Sequence, residues 1–300
     1  MLGYDSIAEL VREAEEKGIR ISDLVLADQA RAMDQTELEV YESMELDFFV
    51  MAHSVKDGEK PDQKSMSGLT GGEGYKMKSY AEAKGGGLCG TFLTRALARA
   101  LSVAGCNASM GRIVAAPTAG SCGILPGCLV SLWEDRSFDE KDIVMSMFTA
   151  GAVGMVIASK ATLAGAKGGC QAECGSAAAM AAAALTELMG GTPAQCADAC
   201  AIAVANQLGL VCDPVAGLVE IPCIKRNVSG LVIAFSSADM VLAGIPARIP
   251  ADECLDAMRA VGEAMAGSLK ETAQGGLADT PTGRALQQRV FGGVQGDERA

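Results

Sequence analysis

Over the first fifty-odd residues, apolar and charged positions recur with the period of a helix. Ser6 followed by Glu9 predicts a capping box and Gly18 a helix stop. Thr36 with Glu39 opens a second helix, whose apolar stripe includes Met44, Phe48 and Met51. The segment VKDGEKPDQ, residues 55–63, breaks this pattern with Gly58 and Pro61. Polarity then collapses. Three glycine-rich stretches follow, SMSGLTGGEG (65–74), KGGGLCG (84–90) and APTAGSCGILPG (116–127), with a helical segment at 92–105 between them.

Further helices are predicted at 143–159, 176–190, 197–210 and 228–245, all apolar or alanine-rich. The first is an uncharged run at the lower limit of a membrane span. Gly151 and Gly154 lower its hydrophobicity and Lys160 follows at once, which favours a central core helix and no membrane partner. Regular alternation of strands and helices is not evident. The expectation is a mainly α protein with one large helical catalytic domain over residues 1–273 and a polar tail over 274–300.

Composition sharpens this picture. Of 300 residues, 49% are hydrophobic, 21% charged and only 4% aromatic, so the core must rest on aliphatic side chains and close backbone approach. The balance of 25 Lys and Arg against 37 Asp and Glu gives a net charge of -12, which argues against nucleic acid and anionic lipid as partners. The N-terminus has no basic, apolar and small-residue order of a signal peptide, so a cytoplasmic protein is expected. In that reducing compartment, 11 cysteines suggest free thiols or metal ligands rather than disulfides.

Three of these cysteines stand apart. Cys170 follows AKGG, Cys212 opens CDP and Cys223 closes EIPC, each beside a glycine or proline where backbone can turn a thiolate toward a shared point. Such thiolates suit a metal or an iron–sulfur cluster, and equally cysteine packs as a small buried hydrophobe. Three thiolates on a cubane would leave one iron open to substrate as a Lewis acid. Cys174 is a possible neighbour of Cys170, while Cys196 and Cys200 read as core residues on one helical face.

The stretch SMSGLTGGEG offers Ser65, Ser67 and Thr70 hydroxyls and accessible backbone N–H groups, which suit a carboxylate or phosphate. It lacks the order of a P-loop. KGGGLCG could cup the phosphate of pyridoxal phosphate, but the helical pattern argues against that cofactor. His53 is the only histidine and hence the only imidazole for proton transfer within this chain.

Four segments, SMSGLTGGEGYKM (65–77), SMGRIVAAPTAGSCGILPG (109–127), AKGGCQAECGSA (166–177) and CDPVAGLVEIPC (212–223), resemble the motifs of the iron–sulfur L-serine dehydratase α chain. The resemblance implies a [4Fe–4S] cluster held by Cys170, Cys212 and Cys223, and elimination of water from L-serine to give pyruvate and ammonia. It implies that Ser67, Thr70, Gly71 and Gly72 position the substrate carboxylate. Asn107, Arg112, Pro117 and Thr118 are then expected to line the same pocket. Single-chain members carry an additional domain with its own histidines, absent here, so the base is either His53 or a group on a partner β subunit. Cysteine desulfidase is a neighbouring reading on the same type of cluster. A non-catalytic metal-binding helical protein is the contrasting one.

Overall fold

Ser6 caps the first helix, α1 (Ile7–Lys17), by accepting the Glu9 N–H, and Gly18 ends it in the left-handed region at φ 65°. The Glu9 carboxylate returns to the Asp5 N–H at 2.8 Å, so the predicted box closes one residue early. The computed structural model describes residues 4–83 and 86–292. Lys84 and Gly85 of the KGGGLCG stretch, residues 293–300 of the predicted tail and the first three residues lie outside the described residues.

After α2 (Ile21–Met33), α3 (Glu37–Gly58) opens with the full capping box predicted at Thr36 and Glu39. Phe48 and Met51 are buried and Met44 is partly so. The helix outruns the pattern that predicted a break at residue 55. Val55 and Gly58 of its last turn are buried, and α3 packs there on α5 (Gly90–Ala108), where a Cβ on Gly58 would stand 1.8 Å from the Ser102 carbonyl oxygen. Gly58 therefore allows the helices to cross rather than ending α3 before the crossing. From the other side Gly74 of α4 (Glu73–Ala83) meets Ser102 as well, with a Cβ position 2.1 Å from its hydroxyl. These two close approaches hold α3 and α4 on α5, and thereby fix the loop at 65–72 that joins them.

Five further helices complete the core: α6 (Ile124–Arg136), α7 (Glu140–Lys160), α9 (Ser176–Leu188), α10 (Pro193–Ala205) and α11 (Cys223–Leu242). A short turn, α8 (Gly165–Gly168), precedes α9, and α12 (Ala251–Ala264) and α13 (Pro281–Phe291) follow the core. The alanine-rich α9 lies at the centre, touching α6, α7, α10 and α11, and its residues from Ser176 to Glu187 are all buried. Small side chains are required there because neighbours approach from several sides. Long and apolar enough to cross a membrane, α7 is instead covered by α2 and α9, with 72% of its apolar window buried.

The glycine-rich stretch at 116–127 is not loop throughout, because its last four residues form the first turn of α6. Pro126 is tolerated there since a first-turn N–H has no helical partner. Gly127 is required by packing, its Cβ position lying 2.6 Å from Leu231 Cδ1. Among the described residues there is no strand, only an isolated bridge between Cys212 and Lys270. The fold is mainly α, as expected.

Candidate active site

Cys170, Cys212 and Cys223 come from three separate elements and are all buried. Cys170 precedes a π-helical turn, Gln171–Gly175, that leads into α9. Cys212 lies in extended backbone, its N–H donating to the Leu269 carbonyl at 2.8 Å while its own carbonyl accepts from Glu271 N at 2.7 Å. Cys223 is the first residue of α11. The three are close enough to act on one another electrostatically: a charge on Cys170 raises both other thiols, and one on Cys223 raises Cys212.

Their protonation tendencies differ by environment. Cys174, with its sulfur 3.5 Å from that of Cys170, and the Arg226 guanidinium hold Cys170 below its ordinary range despite burial. Burial pushes Cys223 up to about 12, and burial beside Glu173 raises Cys212 further. Arg226 is anchored by the Val211 carbonyl at 2.8 Å and the Asp213 carboxylate at 2.7 Å. Asp213 in turn accepts the Leu277 N–H at 2.7 Å, so residues beyond 273 help to brace this segment.

The two loops predicted to meet substrate are tied to the cysteine segments by side chains that spacing did not single out. Thr70 donates its hydroxyl to Glu220 at 2.8 Å, three residues before Cys223. Thr118 donates to Glu173 Oε1 at 3.0 Å, and the other carboxylate oxygen lies 3.7 Å from the Cys212 sulfur. Burial raises the Glu173 carboxyl above its ordinary value. Asn227 accepts from Gly123 N and donates to the carbonyls of Gly120 and Cys223, clamping the third glycine-rich stretch to the start of α11. Glu173, Asp213 and Glu220 lie inside the recognised motifs, yet only contacts between distant segments reveal what they do.

Within the first loop, Ser67 accepts the Leu69 N–H at 3.0 Å and Gly72 adopts φ 71°. Gly71 runs so close to Gln63 that a Cβ would lie 2.3 Å from its carbonyl oxygen. Asn107 reaches the Ala119 carbonyl at 3.3 Å, beside Thr118 and the half-buried Pro117. Two predicted residues are not drawn into this network. Arg112 is exposed, and its guanidinium has no hydrogen bond or ion pair among the described residues. His53 is exposed on α3, with Nδ1 2.7 Å from the Phe49 carbonyl oxygen of its own helix. Cys196 and Cys200 are buried in α10, in keeping with core packing.

A cubane asks for one thiolate per iron. Three buried thiols in mutual electrostatic reach, with the Arg226 cation bearing on Cys170 and Cys223 to offset negative charge, fit that demand.

Comparison with known proteins agrees with these motifs. Residues 16–278 match the family described as serine dehydratase alpha chain. The chain is 46% identical to a probable L-serine dehydratase, alpha chain, of Bacillus subtilis, over 98% of its own length and 97% of the relative's. It is 45% identical to the L-serine dehydratase, alpha chain, of Peptoniphilus asaccharolyticus, over 93% and 96%. L-serine dehydratase TdcG of Escherichia coli matches at 45% identity over 60% of this chain, but only 40% of its own longer one. Family match, identity and extent together establish that this chain belongs to the serine dehydratase alpha chain family.

Proposed function

We propose that this chain is the catalytic α chain of a cytoplasmic L-serine dehydratase, an L-serine ammonia-lyase that works with a β chain and a [4Fe–4S] cluster. The observation that carries the proposal is the double linkage just described: Thr70 to Glu220 and Thr118 to Glu173 join both substrate loops to the cysteine segments. Cys170, Cys212 and Cys223 would hold the cluster. When bound, it supplies an open iron as a Lewis acid for the departing hydroxyl.

The chain's own residues account for the rest. Ser67, Thr70, Gly71 and Gly72 belong to a turn whose backbone N–H groups receive the substrate carboxylate, while the Thr70 hydroxyl, donated to Glu220, holds the turn in place. Asn107, Pro117 and Thr118 would border the same space, tied to it by the Asn107–Ala119 and Thr118–Glu173 bonds, and the exposed Arg112 would be available to an anionic group. Loss of the α-proton and the β-hydroxyl as water leaves aminoacrylate, which tautomerises to an imine and hydrolyses to pyruvate and ammonia. His53 is bound to its own helix and makes no polar link to this network among the described residues, which supports a base supplied by the β chain. The alpha-chain names of the relatives support such a partner.

The test is anaerobic reconstitution with the β chain, followed by assay of pyruvate from L-serine and of sulfide from L-cysteine. Pyruvate from serine supports the proposal; sulfide alone would assign the site to cysteine desulfidation. Neither product would leave a non-catalytic metal protein. His53→Ala in the same complex tests the base: full turnover shows that the proton is taken elsewhere, and loss of turnover with intact cluster assigns it to His53.

A further inference from the structure

Glu173 stands on the π-helical turn after Cys170, and both of its carboxylate oxygens point to elements of the site. Oε1 takes the Thr118 hydroxyl at 3.0 Å, and Oε2 faces the Cys212 sulfur at 3.7 Å. Two glycines wall it in. A Cβ on Gly120 would lie 3.1 Å from Oε1, and one on Gly165 would lie 2.6 Å from Oε2. The carboxylate therefore occupies a notch that larger residues would close.

Glu173 makes no ion pair among the described residues; the Arg226 guanidinium is bound to Asp213 and acts on Glu173 only from a distance. A half-buried carboxylate with one hydroxyl donor and no ion pair is costly to keep ionised. The deficit grows once Cys212 serves as a metal ligand, because a thiolate donates nothing and brings a second negative charge beside Oε2. What the notch lacks is a compact cation carrying N–H donors. Of the three polar groups of serine, the carboxylate goes to the glycine-rich turn and the hydroxyl must leave. Only the α-ammonium remains to be received.

We propose that Glu173 binds the α-ammonium group of the substrate and so selects a 2-amino-3-hydroxy acid over the matching 2,3-dihydroxy acid. The assignment rests on the serine dehydratase reading and adds to it the residue that recognises the amine. Glycerate, which has a hydroxyl in place of the ammonium, leaves the Glu173 charge uncompensated and binds poorly.

The experiment compares L-serine and L-glycerate on the cluster-loaded α–β complex under anaerobic conditions. Calorimetry gives affinity, and the visible spectrum and iron content report the cluster. A charge-assisted hydrogen bond contributes about 1.5–3 kcal/mol, so Glu173→Gln is expected to weaken serine binding by about 10–100-fold. Glycerate, which makes no charge-assisted bond to Glu173, should lose no affinity in the same variant. Glu173→Asp keeps the charge and should retain part of the preference. An unchanged serine-to-glycerate ratio in Glu173→Gln, with cluster intact, overturns the proposal. So does loss of the cluster in both variants, which would make Glu173 a support of the metal site alone. If the unmodified complex neither binds nor dehydrates serine, the dehydratase reading itself fails, an outcome distinct from a working enzyme whose variant keeps its preference.

Discussion

The Thr70 hydroxyl donates to the buried Glu220 carboxylate at 2.8 Å, joining two segments 150 residues apart. Glu220 has no other side-chain partner among the described residues. Thr70→Val therefore leaves a buried carboxylate without its donor, at a cost of about 1–3 kcal/mol. A lower urea midpoint and a raised KM for L-serine are expected, and Thr70→Ser should recover most of both. Equal midpoints for the original chain and Thr70→Val would show that the bond contributes nothing to stability.

Replacing Cys170, Cys212 or Cys223 by serine should strip the protein of iron and visible absorbance when it is purified without air. Cys196→Ser should not, because Cys196 is buried in α10 away from the site's hydrogen-bond network. Iron and sulfide analysis of the four variants decides this. A full cluster in any of the first three removes that cysteine from the ligand set.

Glycine substitutions separate packing from propensity. Gly58→Ala drives a methyl group to within 1.8 Å of the Ser102 carbonyl oxygen, so the crossing of α3 and α5 must open. The expected loss is about 1–3 kcal/mol or more. Gly151 lies in α7 with nothing within 4 Å of its Cβ position. There alanine should raise stability by about 0.5–1 kcal/mol, the ordinary helix preference. Thermal midpoints of both variants, measured side by side, test the contrast.

Glu187 offers a pH test away from the active site. It is buried in α9, accepts the Ser22 N–H at 3.2 Å, and burial raises its carboxyl above the ordinary value. A raised folded-state value means that its contribution is fully present below the unfolded carboxyl value, about 4.3. That contribution is lost as pH rises through the elevated folded value. Glu187→Gln should accordingly gain stability relative to the original chain between weakly acidic and neutral pH, and the difference should shrink toward pH 4 or below. A difference in urea midpoint that does not vary with pH would rule out this linkage.

Much of the fold is legible before any coordinates. The cap at Thr36, the stop at Gly18 and the apolar periods around α5, α7 and α9 lie in local sequence, because a helix is specified by neighbours three or four residues apart. Helix ends set by distant contacts are not. The extension of α3 to Gly58, and Pro126 and Gly127 inside α6, depend on helices packed against them. The polar α4 has no comparable local signature, since it follows a glycine-rich turn and carries little apolar period.

The helical class, the acidic charge of the chain and the motifs that identify its family can be read from the order of residues alone. That order also marks the cysteines set beside glycine and proline. How these residues combine follows from packing between distant segments: Glu173 between Thr118 and Cys212, Glu220 under Thr70, and His53 outside this network among the described residues. The reason is physical. Capping and periodicity act over a few residues, whereas a buried carboxylate must find its donors wherever the packed backbone brings them.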